Sequence, residues 1–189
     1  QRMEVRKGPY YGEYGDFATA GAVNLVLDSE KPHSSLSLGG GTYRTFRGLT
    51  ILSPKTDKVK PLIAVEVFGS DGPFQNPEDL LRVNVFARTT FDLKGKTKLA
   101  LTGMAYINDW NASGQIPLRE VQNGNLDWFG SIDPNEGGQS QRYSLYCGFD
   151  SPAKAGTHGK RSVGREGLSL VGWVTHSRFA LYSNFTFFA

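Results

Sequence analysis

The sequence predicts an all-β protein built from antiparallel, up-and-down strands. Three observations carry that expectation. Apolar and polar residues alternate with a period of two along most of the chain, as side chains do on a half-buried strand. The alternating runs are separated by clusters of Gly, Pro, Asn and Asp, which is turn chemistry. Composition agrees, because 12% aromatic residues and 23 glycines in 189 residues suit strands joined by turns.

Composition also excludes several classes. Charged residues make up 21% and hydrophobic residues 39%, so the chain reads neither as disordered nor as a helical membrane protein. No apolar run approaches the roughly 18 residues of a spanning helix, but strands of a membrane barrel need only about 9 to 11 alternating residues. The net charge is +3, with Lys and Arg scattered along the chain, so nucleic acid is not an expected partner. The lone Cys147 excludes an internal disulfide and reads as a small apolar residue on a strand face.

The elements follow in order. Met3 to Arg6 is a short strand, Gly8-Pro9 a tight turn, and Ala22 to Leu27 a second strand. Between them Gly12, Gly15, Ala18, Ala20 and Gly21 crowd a loop where backbone passes close to backbone. A polar connector, 28–33, leads to Ser34 to Thr42, with Leu36, Leu38 and Gly40 on one face. A reversal near Tyr43-Arg44 precedes Thr45 to Ser53. After a polar turn, Pro61 to Ser70 sets Ile63, Val65 and Val67 against Ala64, Glu66 and Phe68. Asp71 to Asp79 carries two prolines and an Asp-Gly pair and reads as a loop.

Leu81 to Asp92 has the clearest alternation, with Leu81, Val83, Val85, Ala87, Thr89 and Phe91 against Arg82, Asn84, Phe86, Arg88, Thr90 and Asp92. A short turn, Lys94-Gly95-Lys96, returns the chain along Thr97 to Asn108. Strands this long meet the span of a tilted membrane strand. Asp109 to Ser140 reads as one long polar loop, and loops of that length are usually functional. Gln141 to Phe149 and Leu168 to Ser177 alternate again. The tract between them, Ser151 to Gly167, has no periodicity, and Leu181 to Phe188 begins a further strand-like segment.

No constellation in the chain points to catalysis. His33, His158 and His176 lack metal-ligand spacing, the Gly39 to Gly41 run lacks the context of a phosphate loop, and no carboxylate pair stands out. No enzyme activity, cofactor or bound metal is expected.

Glu4, Val5, Lys7, Gly8, Pro9, then Tyr14, Gly15, then Gly21, Val23, Asn24 and Val26 form a composite pattern. It resembles the C-terminal end of the plug domain of TonB-dependent outer-membrane receptors. Two departures are Lys7, where that family usually has Arg, and a wider spacer with Tyr10, Tyr11 and Asp16. The resemblance implies that residues 1–32 end a plug domain and link to a barrel. Residues 33–189 would then be the first strands of a large plugged outer-membrane β-barrel, incomplete in this chain. Gly8, Pro9, Tyr14, Gly15, Gly21 and Asn24 would have structural roles in the plug.

The implied function is energy-coupled uptake of a scarce ligand, such as an iron-siderophore, across a Gram-negative outer membrane. The implied partners are outer-membrane lipid, an external small ligand and a TonB-type coupling protein, whose binding box is absent from these residues. Glu66, Arg82, Asn84 and Arg88 would line the lumen. Trp110, Trp128 and Phe129 would contact ligand from an outer loop. Because the chain starts inside a motif, it is expected to be a fragment. The competing expectations are a soluble β-sheet binding module that uses the long loop, and a non-functional receptor remnant.

Overall fold

A computed structural model of the chain describes residues 2–8, 10, 12, 19–26, 33–54, 59–152 and 167–184. The chain divides into two compact units, Gln1–Lys31 and Pro32–Ala189. All described strand pairings are antiparallel.

The first unit is a hairpin of β1 (Arg2–Lys7) and β2 (Gly21–Val26). Its register sets Glu4 against Asn24 and Lys7 against Gly21. The Gly8 N–H donates to the Ala20 carbonyl at 2.9 Å and closes the hairpin base. Gly21 has φ +143°, and a Cβ there would run into the Arg6 carbonyl, so this position admits only glycine. Pro9, Tyr14 and Gly15 of the plug-like pattern lie outside the described residues, as do 13–18 and 27–32.

The second unit is one seven-stranded sheet in which every strand pairs with its neighbours in sequence. The strands are β3 (Ser35–Gly40), β4 (Phe46–Leu52), β5 (Val59–Ser70), β6 (Leu80–Asp92), β7 (Lys98–Asn111), β8 (Gly137–Pro152) and β9 (Gly167–Tyr182). Among the described residues β3 and β9 each pair on one side only, so the sheet is open.

The reversal expected near Tyr43-Arg44 is a tight turn with φ +55° and +50° at those two residues. Positive φ at both central positions is the geometry whose twist suits a two-residue hairpin. Lys94–Lys96 is a single 3-10 turn, closed by Leu93 N–H on the Thr97 carbonyl at 2.8 Å.

The register resolves the sheet into two chemically distinct faces. Across β3 to β9 one rung reads Thr50, Val65, Val85, Ala105, Tyr143 and His176, with Leu36 beside Thr50. A rung further from the loop of β5–β6 reads Leu52, Ile63, Ala87, Gly103, Leu145 and Val174. Among the described strand residues of this apolar face, Asp109 and Arg178 alone are ionic, and both sit at its loop end. The opposite face carries Arg47, Lys60, Glu66, Arg82, Asn84, Arg88, Lys98, Arg142 and Asp150 among apolar residues.

Nothing described covers the apolar face. Leu36 is 67% exposed, Leu145 64% and Val174 62%. Among the described residues the single buried hydrophobic side chain is Leu62, and it lies on the polar face. Among its described residues the second unit has one sheet and one α-helix of five residues, α1 (Leu118–Gln122), and no second layer packs on the sheet.

Three boundaries differ from the sequence reading. The long loop is 112–136, shorter than Asp109 to Ser140, because β7 and β8 pair on to Asn111 and Gly137. Trp110 is therefore a strand residue of β7, and its backbone is committed to the ladder opposite Gly138. β9 runs unbroken to Tyr182, joining what reads in sequence as two segments, since its pairing with β8 continues through Ala180 and Leu181. Pro61 lies inside β5 and not at its start. The β4 pairing has already ended at Ile63, so Pro61 meets a neighbouring strand on one side only, where proline is tolerated.

Candidate functional site

Two groups of side chains stand out, one on the polar face and one at the loop end. On the polar face, β4, β5 and β6 bring Arg47, Glu66 and Asn84 onto adjoining rungs. Arg47 Nε donates to Glu66 Oε1 at 2.6 Å and Asn84 Nδ2 donates to Oε2 at 2.9 Å. Arg82 Nη2 is 3.9 Å from the same Oε2, and its guanidinium stacks 4.8 Å over the Phe68 ring. Three of the four residues expected to line a lumen therefore meet at one carboxylate.

Arg88, the fourth, stands apart, opposite Leu62 and Thr102. On the polar face the Arg88 Nε and Thr90 Oγ1 atoms, and at its loop end the Arg82 Nε and Asn108 Oδ1 atoms, are buried without a hydrogen-bond partner. Buried polar groups are normally satisfied, so these four atoms mark unfilled polar positions on this face. An open concavity of about 950 Å³ lies over the Glu66 group, lined by Arg47, Glu66, Asn84, Tyr106, Arg142 and Ser144 and by none of the residues that carry these four atoms. Arg47 and Arg142 are the contributions that sequence reasoning missed. Alternation puts each on a polar face, but only register reveals that Arg47 faces Glu66.

At the other site, the connections β3–β4, β5–β6 and β7–β8 are joined into one unit. Arg44 pairs with Asp71 through two nitrogens and with Asp79 at 3.1 Å. Asp71 raises the Arg44 pKa further above its ordinary value. Asn76 Nδ2 donates to the Ala112 carbonyl at 3.2 Å and the Pro134 carbonyl at 3.3 Å. Gln75 N–H donates to the Phe129 carbonyl at 2.9 Å, and Phe74 meets Phe129 edge to face at 6.0 Å. The buried Glu136 accepts the Asn184 N–H at 2.7 Å, which ties in the end of β9.

Trp128 and Phe129 project from this unit, 68% and 48% exposed. Trp110 is not with them. It lies over Gly138 on the polar face, with its ring 6.4 Å from Phe179. Backbone-to-backbone and Asx contacts fix the loop, and such contacts have no periodic sequence signal. Among the described residues no three His, Cys, Asp or Glu side chains come together to hold a metal ion. The arrangement can hold a polar partner over one face and present aromatic side chains at one end.

No family model matches the chain, and no curated protein or solved structure matches it.

Proposed function

We propose that this chain is part of a TonB-dependent outer-membrane receptor: the end of the plug in residues 1–32 and the first barrel strands in 33–189. In that role it serves energy-coupled uptake of a scarce ligand, of the iron-siderophore kind, in a Gram-negative bacterium. The plug-like pattern of the first 26 residues supports the family. One structural observation carries the membrane reading, namely the form of the uncovered apolar band.

On β6 the band runs from Leu81 to Phe91, both on the apolar face. Ten residue steps at about 3.4 Å, inclined by about 40°, rise about 26 Å, close to the roughly 25 Å apolar belt of outer-membrane barrels. The band is also slanted. Its loop-end limit is Leu81 on β6, Ile107 on β7, Tyr143 on β8 and Val174 on β9, one rung lower on each successive strand. One rung is about 6.8 Å along a strand and one strand about 4.8 Å across. The resulting slope is about 55°, steeper than the roughly 35–45° strand tilt of such barrels, and it runs obliquely to the strands as a membrane plane does across tilted strands. A soluble sheet covered by a second layer has no reason for its apolar limit to follow that line.

In this reading the polar face turns to the lumen, where Glu66, Arg82, Asn84 and Arg88 line the path of the cargo. The loop unit with Trp128 and Phe129 faces the exterior and contacts ligand. The partners are outer-membrane lipid, the external ligand and the inner-membrane coupling protein, and the process makes or breaks no covalent bond.

The test uses the full coding region that contains this sequence, expressed in a Gram-negative host. The expected result is a heat-modifiable protein in the outer-membrane fraction. In a Cys147→Ser background, a lipid-phase spin probe should be sensed at Leu145→Cys and not at Ser144→Cys. Recovery from the soluble fraction, or equal lipid exposure at both positions, would reject the reading.

A further inference from the structure

The loop-end corner of the apolar face carries a polar group that membrane insertion alone does not require. His176 and Arg178 lie two residues apart on β9, so both project from the same face. Tyr143 stands opposite His176, and Gln141 stands opposite Arg178. On the same two rungs, β5 and β6 present Val65, Val67, Val83 and Val85. A cation, an imidazole, a phenol and an amide thus replace valines at one corner. Both β9 side chains are exposed to solvent in the chain as described.

Resting on the membrane reading, we propose that His176, Arg178, Tyr143 and Gln141 bind the phosphate of an anionic outer-leaflet lipid. The position fits. The slanted band ends at Val174 on β9 and Tyr143 on β8, which sets His176 and Arg178 just above it, at headgroup depth. The chemistry fits too. A guanidinium gives two parallel N–H donors to a phosphate, and a charge-assisted pair of this kind is about twice as strong as a neutral one. Tyr143 presents an apolar ring to the acyl region and a hydroxyl to the headgroup, the usual placement of tyrosine at an interface. Asp109, the one acidic group on this face among the described strand residues, sits two strands away and one rung higher. An anion approaching Arg178 therefore has no carboxylate directly beside it on β8 or β9.

The experiment purifies the full protein from outer membranes in mild detergent and counts retained phosphate-bearing lipid by native mass spectrometry. Arg178→Gln and the double variant H176A/R178A are compared with K98A on the opposite face. Retention is expected to fall about tenfold in the double variant, less in Arg178→Gln, and not at all in K98A. Heat-modifiable mobility is read on the same samples. Normal mobility with unchanged lipid retention in both β9 variants overturns the site and leaves the membrane reading intact. Absence of every variant and the parent from the outer membrane overturns the membrane reading and the site with it. If the double variant fails to insert, Arg178→Gln alone decides between lipid loss and no effect.

Discussion

At the scale of single residues, the informative positions are those whose neighbours leave no choice. Gly114 has φ +67°, and a Cβ on it would collide with the buried Glu136 carboxylate. That carboxylate is the acceptor that ties Asn184 to the loop. Gly114→Ala is expected to destabilise the loop by about 1–3 kcal/mol, from backbone strain and a displaced hydrogen bond. Faster protease cleavage within 112–136 checks it, and unchanged cleavage would mean that Glu136 swings clear at no cost. Alternation gave no warning of this constraint. It marks Gly114 as one more turn residue, because a side-chain clash across 22 positions has no local signature. The plug-like glycines were more legible, since Gly21 needs its conformation for a hairpin that the flanking strands already announce.

Elements show where sequence reading works and where it ends. The antiparallel order, the faces of β5 to β8 and the hairpin at Lys94–Lys96 follow from period-two patterning and turn residues. The ends of β7 and β8 do not, because Asn111 and Gly137 break the pattern and are held in strand by pairing with each other, by Tyr182 opposite Gly137 and by the Asn111 N–H on the Glu78 carbonyl. The helix α1 is too short to show a periodic stripe. The Glu66 group was half legible, as three of its polar residues stand out by type, whereas Arg47 joins them only through register. The loop unit is expected to respond to pH through Asp133. The Asn135 backbone N–H, then the Asn135 and Asn184 side chains, hold the Asp133 pKa below its ordinary value. A carboxyl group with a lowered folded-state pKa stabilises above its unfolded pKa and loses that contribution as pH falls through the folded one. The loop is therefore expected to open on acidification below the ordinary carboxylate range. Amide exchange at Asn135 and Asn184 would follow the change, and Asp133→Asn should flatten it.

For the whole molecule, the governing fact is that the apolar face is slanted relative to the strands. Two positions on one rung make the comparison. Val67 of β5 lies inside the band, whereas Gln141 of β8 lies above it, although both align with Ile107 of β7 through the ladder. Val67→Lys is expected to cost about 2–4 kcal/mol more than Gln141→Lys if the band lies in a bilayer. Urea unfolding of the protein inserted in lipid vesicles measures the difference, and equal costs would remove the slant from the argument. Nothing in periodicity alone reveals the slant, because each strand gives its own apolar limit without its height relative to the next.

The order of the sheet has a consequence for how such a chain can be divided. Among the described residues of the second unit, each strand pairs only with the strands before and after it in sequence. A break in any turn therefore severs no pairing, and it leaves two pieces that match along one seam. Each piece keeps its own alternation of faces, and the register along the seam is fixed by side chains that both halves retain. The ladder is therefore modular at the turn Lys94–Lys96, whereas at the loop end Arg44 on Asp71 and Asn76 on Ala112 tie neighbouring hairpins together, and along any seam the two faces of the sheet stay in phase.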